Sequence, residues 1–333
     1  MHSSITKLIS AGLVLLGLMA LAHAQSTSPQ VERWKREGWK TDFSKSIIEF
    51  PSVRSGGPPR DGIPPIDDPK FITVSDAKHL TNMEPVIGLT IDGDARAYPL
   101  QVMMWHEIVN DVVGGKPVAV TYCPLCNAAI VFDATVDGKA LTFGTTGKLR
   151  KSDLVMYDRA SDSWWQQFSG EAIVGSHTGM ELTMLPARLE SFAQFSARNP
   201  DGKVLVPNNP ARRNYGRNPY MGYDEAARPF LYDGSMPDGI EPMERVVVIR
   251  RGDVEPIVVS MRKVRDEPGI VLDGFKLDWQ AGQTTALGSA IISRGKDVGT
   301  ITVTKAESGE AVPYDVTFAF VAHAFHPEAK ILQ

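Results

Sequence analysis

This sequence predicts a mainly β chain of α+β type, with antiparallel hairpins forming a sandwich or a partly open barrel and a few short helices. Three observations carry that expectation. Asp92-Gly93, Gly114-Gly115 and Asp137-Gly138 are two-residue turn signals set between short apolar runs. The runs themselves, such as Val86-Ile87-Gly88-Leu89-Thr90-Ile91, have the length and β-branched content of strands. Two stretches are also echoed later: Met83 to Ile87 by Met243 to Val247, and Asn127 to Phe143 by Ser289 to Val303. Such echoes are what two duplicated halves, 80–206 and 240–327, would leave behind.

The first residues stand apart from that fold. Lys7 gives a positive start, Ile9 to Leu21 is almost wholly apolar, and Ala22-His23-Ala24 is a small-x-small cleavage site before Gln25. Residues 1–24 are therefore expected to be a signal peptide. The run is shorter than the roughly 20 residues of a membrane span, and no cysteine follows it to carry a lipid. The mature chain is expected to be soluble and exported, periplasmic or extracellular, with no integral membrane segment. Of the 333 residues 43% are hydrophobic and 22% charged, a globular balance. The net charge of −4 and the scatter of basic residues argue against nucleic acid as a partner.

In chain order, Pro29 to Gly38 reads as a short helix, with proline in its first turn. Pro51 to Pro69 is too rich in proline and glycine for regular structure, so residues 25–70 form a lead, either an ordered wrap or a flexible one. A globular β-rich body is expected over 71–333. Hairpins follow at Val86–Tyr98 around Asp92-Gly93 and at Glu107–Tyr122 around Gly114-Gly115. A short helix opening at Pro99 and running to His106 lies between them. Ala129–Val136 and Lys139–Phe143 form a third hairpin, and Leu154–Arg159 with Trp164–Ser169 a further pair. Ser191 to Arg198 is a helix started by serine and stopped before Pro200. Residues 207–242 are turn-rich and aromatic; strands resume at Arg245–Ile249 and Ile257–Met261 and continue to Val316–Phe320.

Several motifs group together: Tyr98-Pro99-Leu100, His106-Glu107-Ile108-Val109-Asn110-Asp111, Thr121-Tyr122-Cys123-Pro124-Leu125-Cys126, Phe143-Gly144 and Leu149 through Arg159. Trp165-Gln166-Gln167, Gly170-Glu171-Ala172, Tyr215-Gly216, Pro219-Tyr220 and Ala324-Phe325-His326-Pro327 extend the set. With these residues the chain, from about Phe71 onward, resembles the exported bacterial and archaeal family catalogued as domain of unknown function 3179 (DUF3179). The resemblance supports the boundaries and the candidate residues and implies no reaction.

Chemistry concentrates at Cys123 and Cys126, the only cysteines in the chain. Two thiols at this spacing, with Pro124 restricting the turn, can chelate a soft metal, exchange a disulfide, or close a small ring. The loop-closure gain of so short a ring is only about 2 kcal/mol, a poor reason for placing the pair. The leading expectation joins both cysteines to His106 and His326 around zinc or copper, with a protein or metal donor as partner. A dithiol–disulfide oxidoreductase using the same cysteines is the enzymatic alternative. The third reading is a non-catalytic ligand- or glycan-binding module with a structural disulfide, lined by Trp164, Trp165 and the aromatics of 215–232. Asp153, Asp158 and Glu171 around Trp165 would supply carboxylates for sugar chemistry. His106-Glu107 is not a zinc-protease motif, because Asn110 stands where the second histidine would be.

Overall fold

A computed structural model describes residues 28–252 and 254–333. The expected signal peptide lies outside the described residues. Helix α1 (Pro29–Arg36) is capped by Ser28, whose hydroxyl accepts the Val31 N–H. Strand β1 (Val53–Ser55) lies inside the Pro/Gly-rich run, against the expectation of no regular structure there, and β2 (Lys70–Thr73) follows it. β3 (Pro85–Ile91) and β4 (Asp94–Pro99) turn at Asp92-Gly93, both residues at positive φ. Helix α2 (Leu100–His106) leads to a three-stranded meander of β5 (Ile108–Val113), β6 (Lys116–Cys123) and β7 (Ala128–Asp133). β8 (Thr135–Val136) and β9 (Lys139–Ala140) make a separate small hairpin at Asp137-Gly138. The expected strand Ala129–Val136 is thus broken at Ala134, whose N–H is drawn to Pro117 O.

β10 (Phe143–Arg150), β11 (Asp153–Asp158), β12 (Trp164–Gln166) and β13 (Ala172–Val174) form one sheet, with β1 on its edge. β14 (Met184–Leu185) and β15 (Ala187–Ser191) precede helix α3 (Phe192–Arg198), which opens on a reciprocal cap between Ser191 and Gln194; β16 (Lys203–Val206) follows. Past the turn-rich 207–242 come β17 (Arg245–Arg251), β18 (Val254–Ser260) and helix α4 (Met261–Asp266). β19 (Ile270–Leu272), β20 (Phe275–Gln280) and β21 (Thr300–Lys305) form a second meander. β22 (Asp315–Phe318), helix α5 (Ala319–Phe325) and β23 (Ile331–Leu332) close the chain. The fold is mainly β with short helices, as the hairpin signals predict.

Two sheets are built alike. One runs β15-β3-β4-β16 and the other β22-β17-β18-β23. Through these four strands the pairings are antiparallel, antiparallel and parallel in both, and β2 adds a further antiparallel strand outside β16 in the first. In both, a short helix follows the second strand of the hairpin, and another helix leads from the outer strand to the parallel one. Met83–Ile87 and Met243–Val247, alike in sequence, open the equivalent strands β3 and β17. The second echo does not match in the same way: Asn127–Phe143 holds a strand and a hairpin, whereas Ser289–Val303 is largely loop before β21.

The lead is an ordered wrap that belongs to the body. Trp34, Trp39, Phe43 and Phe50 are buried against Trp164 and Tyr157, with Trp34 and Trp164 ring centroids 4.7 Å apart. Four large apolar side chains in 17 residues need a surface, and the outer face of the β10–β13 sheet supplies it. Farther on, Gly56 N–H reaches Gly147 O, Asp61 N–H reaches Thr145 O, and the Tyr157 hydroxyl donates to Asp61 at 2.6 Å. The lead is thus packed and hydrogen-bonded onto the body that follows it. Asn110 in β5 exchanges hydrogen bonds with the Phe143 backbone, and Gln167 donates to Thr121 and Ala128 O. These buried amides lock the β5–β7 meander against the β10–β13 sheet, so the β6–β7 turn faces the β10–β11 turn.

Candidate metal centre

Cys123 ends β6 and Ala128, its cross-strand partner, begins β7, leaving a tight connection between them. Cys126 N–H bonds to Cys123 O and Asn127 N–H to Pro124 O. Proline suits the second position of such a turn, and Asn127 tolerates the left-handed φ of 52° that closes it. Strand β22 clamps the turn from behind: Cys126 O accepts the Thr317 hydroxyl at 2.7 Å, and Asn127 Nδ2 donates to Val316 O. The sulfurs are thereby held on one side, and both cysteines are free thiols.

Asp153 meets them from the β10–β11 turn, where Lys151 and Ser152 both adopt positive φ. Its Oδ1 lies 3.3 Å from Cys126 Sγ. Its Oδ2 accepts Gln166 Nε2 at 2.6 Å and the Phe168 N–H at 2.9 Å, and Arg150 in turn donates to Gln166 Oε1. One carboxylate oxygen is thus committed to the protein and the other is aimed at sulfur. The donor atoms of Cys123, Cys126 and Asp153 all lie within 4.8 Å of one another, and all three residues are buried.

Burial sets the electrostatics. It raises the Cys123 thiol above its usual range, and it raises Cys126 well above, with Cys123 itself adding to that rise. Asp153 is pushed up to about 6 by burial, against the pull of its hydrogen bonds. Glu107 stands at the end of α2 with φ 59° and ψ −31°, a conformation fixed by its N–H to Met103 O and its carbonyl to Tyr122 N–H. Its side chain is 6% exposed and accepts no hydrogen bond among the described residues; burial and the nearby Asp153 push it up to about 8. Glu107 lines a cavity of about 280 Å³, beside Leu125 from between the two cysteines and Leu154 from next to Asp153. Tyr220, Tyr223 and Phe230 line it too, as do Pro58 and Ile63 of the wrap.

The two expected histidine ligands are elsewhere. His106 Nδ1 lies 2.7 Å from Pro64 O and Nε2 2.8 Å from the Tyr215 hydroxyl. A carbonyl can only accept, so Nδ1 carries the proton and Nε2 accepts from tyrosine, leaving no lone pair for a metal. His326 follows α5 beside Phe168, and burial with Arg250 and Lys151 holds it down at about 4. Neither belongs to the cysteine cluster. The glycan groove also finds no counterpart: Trp164 and Trp165 are fully buried, and Asp158 is consumed by Trp165 Nε1, Ser161 and His177. Sequence reasoning put Asp153 in that groove and missed its place beside the thiols. The Ser152-Asp153 turn carried no signal linking it to Cys126, 27 residues away, or to Cys123.

The DUF3179 profile, described as a protein of unknown function, matches residues 60–329. This chain belongs to the DUF3179 family. The match contains every residue of the cysteine cluster and of the cavity wall from Ile63 to Phe230, while α1 and its aromatic anchor lie upstream of it. Neither a curated protein nor a solved structure matches this DUF3179 chain. No helix among the described residues is long and apolar enough to cross a membrane.

Proposed function

We propose that Cys123, Cys126 and Asp153 bind one metal ion, zinc in preference to copper, in a protein that works outside the cytosol. The convergence of two thiols with a carboxylate whose second oxygen is already saturated carries this reading. A ligating carboxylate is usually oriented this way by hydrogen bonds behind it. The hard oxygen in the set favours zinc, since copper(I) prefers purely soft donors. A bound cation would also offset the cost of gathering two thiols, Asp153 and Glu107 in one buried place, where Arg150 acts on Asp153 only from behind Gln166. Three protein ligands leave a fourth position for water or a ligand.

Metal analysis of the mature protein tests this, with Cys123→Ser/Cys126→Ser and Asp153→Asn variants alongside. Near-stoichiometric zinc is expected in the wild type, lost in the double variant and weakened in the third. Absence of metal from the wild type after reconstitution under reducing conditions would refute it. Thiol exchange is the weaker reading, because attack needs an exposed thiolate and both sulfurs are buried with raised thiol affinities for protons. The export reading rests on the leader-like first 24 residues. It predicts that the N-terminus of protein recovered from its compartment is Gln25.

A further inference from the structure

We infer that the cavity above the cysteine cluster is a binding site for a small organic cation, an ammonium group on an apolar or aromatic body, with Glu107 as its counter-ion. This goes beyond the metal centre and does not require it. Glu107 is nine-tenths buried, unpartnered among the described residues, and faces the cavity. Its carboxyl meets no protein donor among the described residues, so an ammonium group entering the cavity finds an acceptor that no side chain has claimed. Tyr220, Tyr223 and Phe230 line the same cavity, and aromatic rings attract cations.

No lining group competes for the role of cation. Lys148 contributes to the wall, but its ammonium is turned away to Glu37 at 2.7 Å, under the rings of Trp39 and Trp164. Metal would not reverse the preference: two thiolates and one carboxylate around a divalent ion leave the cluster negative, and Glu107, protonated while the cavity is empty, releases its proton to solvent when an arriving ammonium group stabilises the carboxylate. The volume of about 280 Å³ holds a ligand of roughly nine non-hydrogen atoms, at the ~30 Å³ that each water occupies in the liquid.

Calorimetric titration with phenethylammonium, and with 2-phenylethanol as its neutral counterpart of the same size, tests the assignment. The amine is expected to bind about tenfold or more tightly than the alcohol, and Glu107→Gln to abolish that preference. Equal affinities, survival of the preference in Glu107→Gln, or no saturable amine binding would each overturn it. Should Glu107→Gln fail to fold, Tyr220→Leu keeps the test open, since it removes an aromatic face and is expected to cost the amine several-fold while sparing the alcohol. Loss of affinity for both equally would count against the proposal. The titration is repeated on chelator-stripped protein. A preference that persists there separates this site from the metal centre, and one that vanishes with the metal would refute Glu107 as the counter-ion.

Discussion

Asp153 is held by one oxygen and offered by the other, so its usefulness depends on residues that touch no sulfur. Gln166→Leu removes the 2.6 Å donor to Oδ2 and leaves every proposed ligand in place. Metal affinity is expected to fall about 10–100-fold, read by competition with a chromophoric chelator. Protons report on the same cluster. Glu107, held up to about 8 against its ordinary 4.5, keeps its proton in the folded chain across that window. Folding therefore binds a proton there, and stability present below about pH 4.5 is lost as the pH rises towards 8. Asp153, up to about 6 from 3.8, adds a loss in the lower part of the range. Metal-free wild type is expected to melt at progressively lower temperature across this window, by an amount of the order of 1 kcal/mol or more. In Glu107→Gln the upper part of the decline should disappear; a flat wild-type profile would show that Glu107 ionises without cost.

At the scale of elements, the sulfur-bearing turn is fixed from outside its own hairpin. Thr317→Val deletes the hydroxyl that bonds Cys126 O, and denaturant unfolding is expected to show a loss of about 1 kcal/mol. Turns and caps were the elements most legible in the sequence, because Asp92-Gly93, Asp137-Gly138 and Ser191 act through local backbone chemistry. Leu100–His106 shows no helical period in its sequence, for a reason visible in its burial. Every residue but Trp105 is buried, and a helix enclosed on all sides has no apolar stripe to reveal its period. The ligand set was half legible. Cys123 and Cys126 announced themselves by spacing, whereas Asp153 joins them only through the packing of two sheets. His106 misled because a histidine satisfied by partners 42 and 109 residues away looks, in sequence, like one that is free.

Across the whole molecule, the aromatic lead and the clamp from β22 mean that neither end is dispensable. A chain shortened to begin at Phe71 would uncover Trp164 and Tyr157, buried now under Trp34, Trp39, Phe43 and Phe50. Such a chain is expected to aggregate or lose its cooperative melt, checked by size-exclusion chromatography and near-ultraviolet dichroism. A monomeric, cooperatively folding product would show instead that the β10–β13 sheet stands without its cover. The site draws on several sheets: the stretch from α2 to β11 supplies Glu107, the sulfurs and Asp153, and β22 braces the turn that carries the cysteines.

His106 has one more consequence. Its ring is tied on one side to Pro64 in the wrap and on the other to Tyr215 in the 207–242 segment. Those same two segments provide Pro58 and Ile63, and Tyr220, Tyr223 and Phe230, around the cavity. The imidazole is thus a rivet between two shutters of one window. Displacing either segment breaks a hydrogen bond to the imidazole that holds the other, so the two sides of the cavity are mechanically joined.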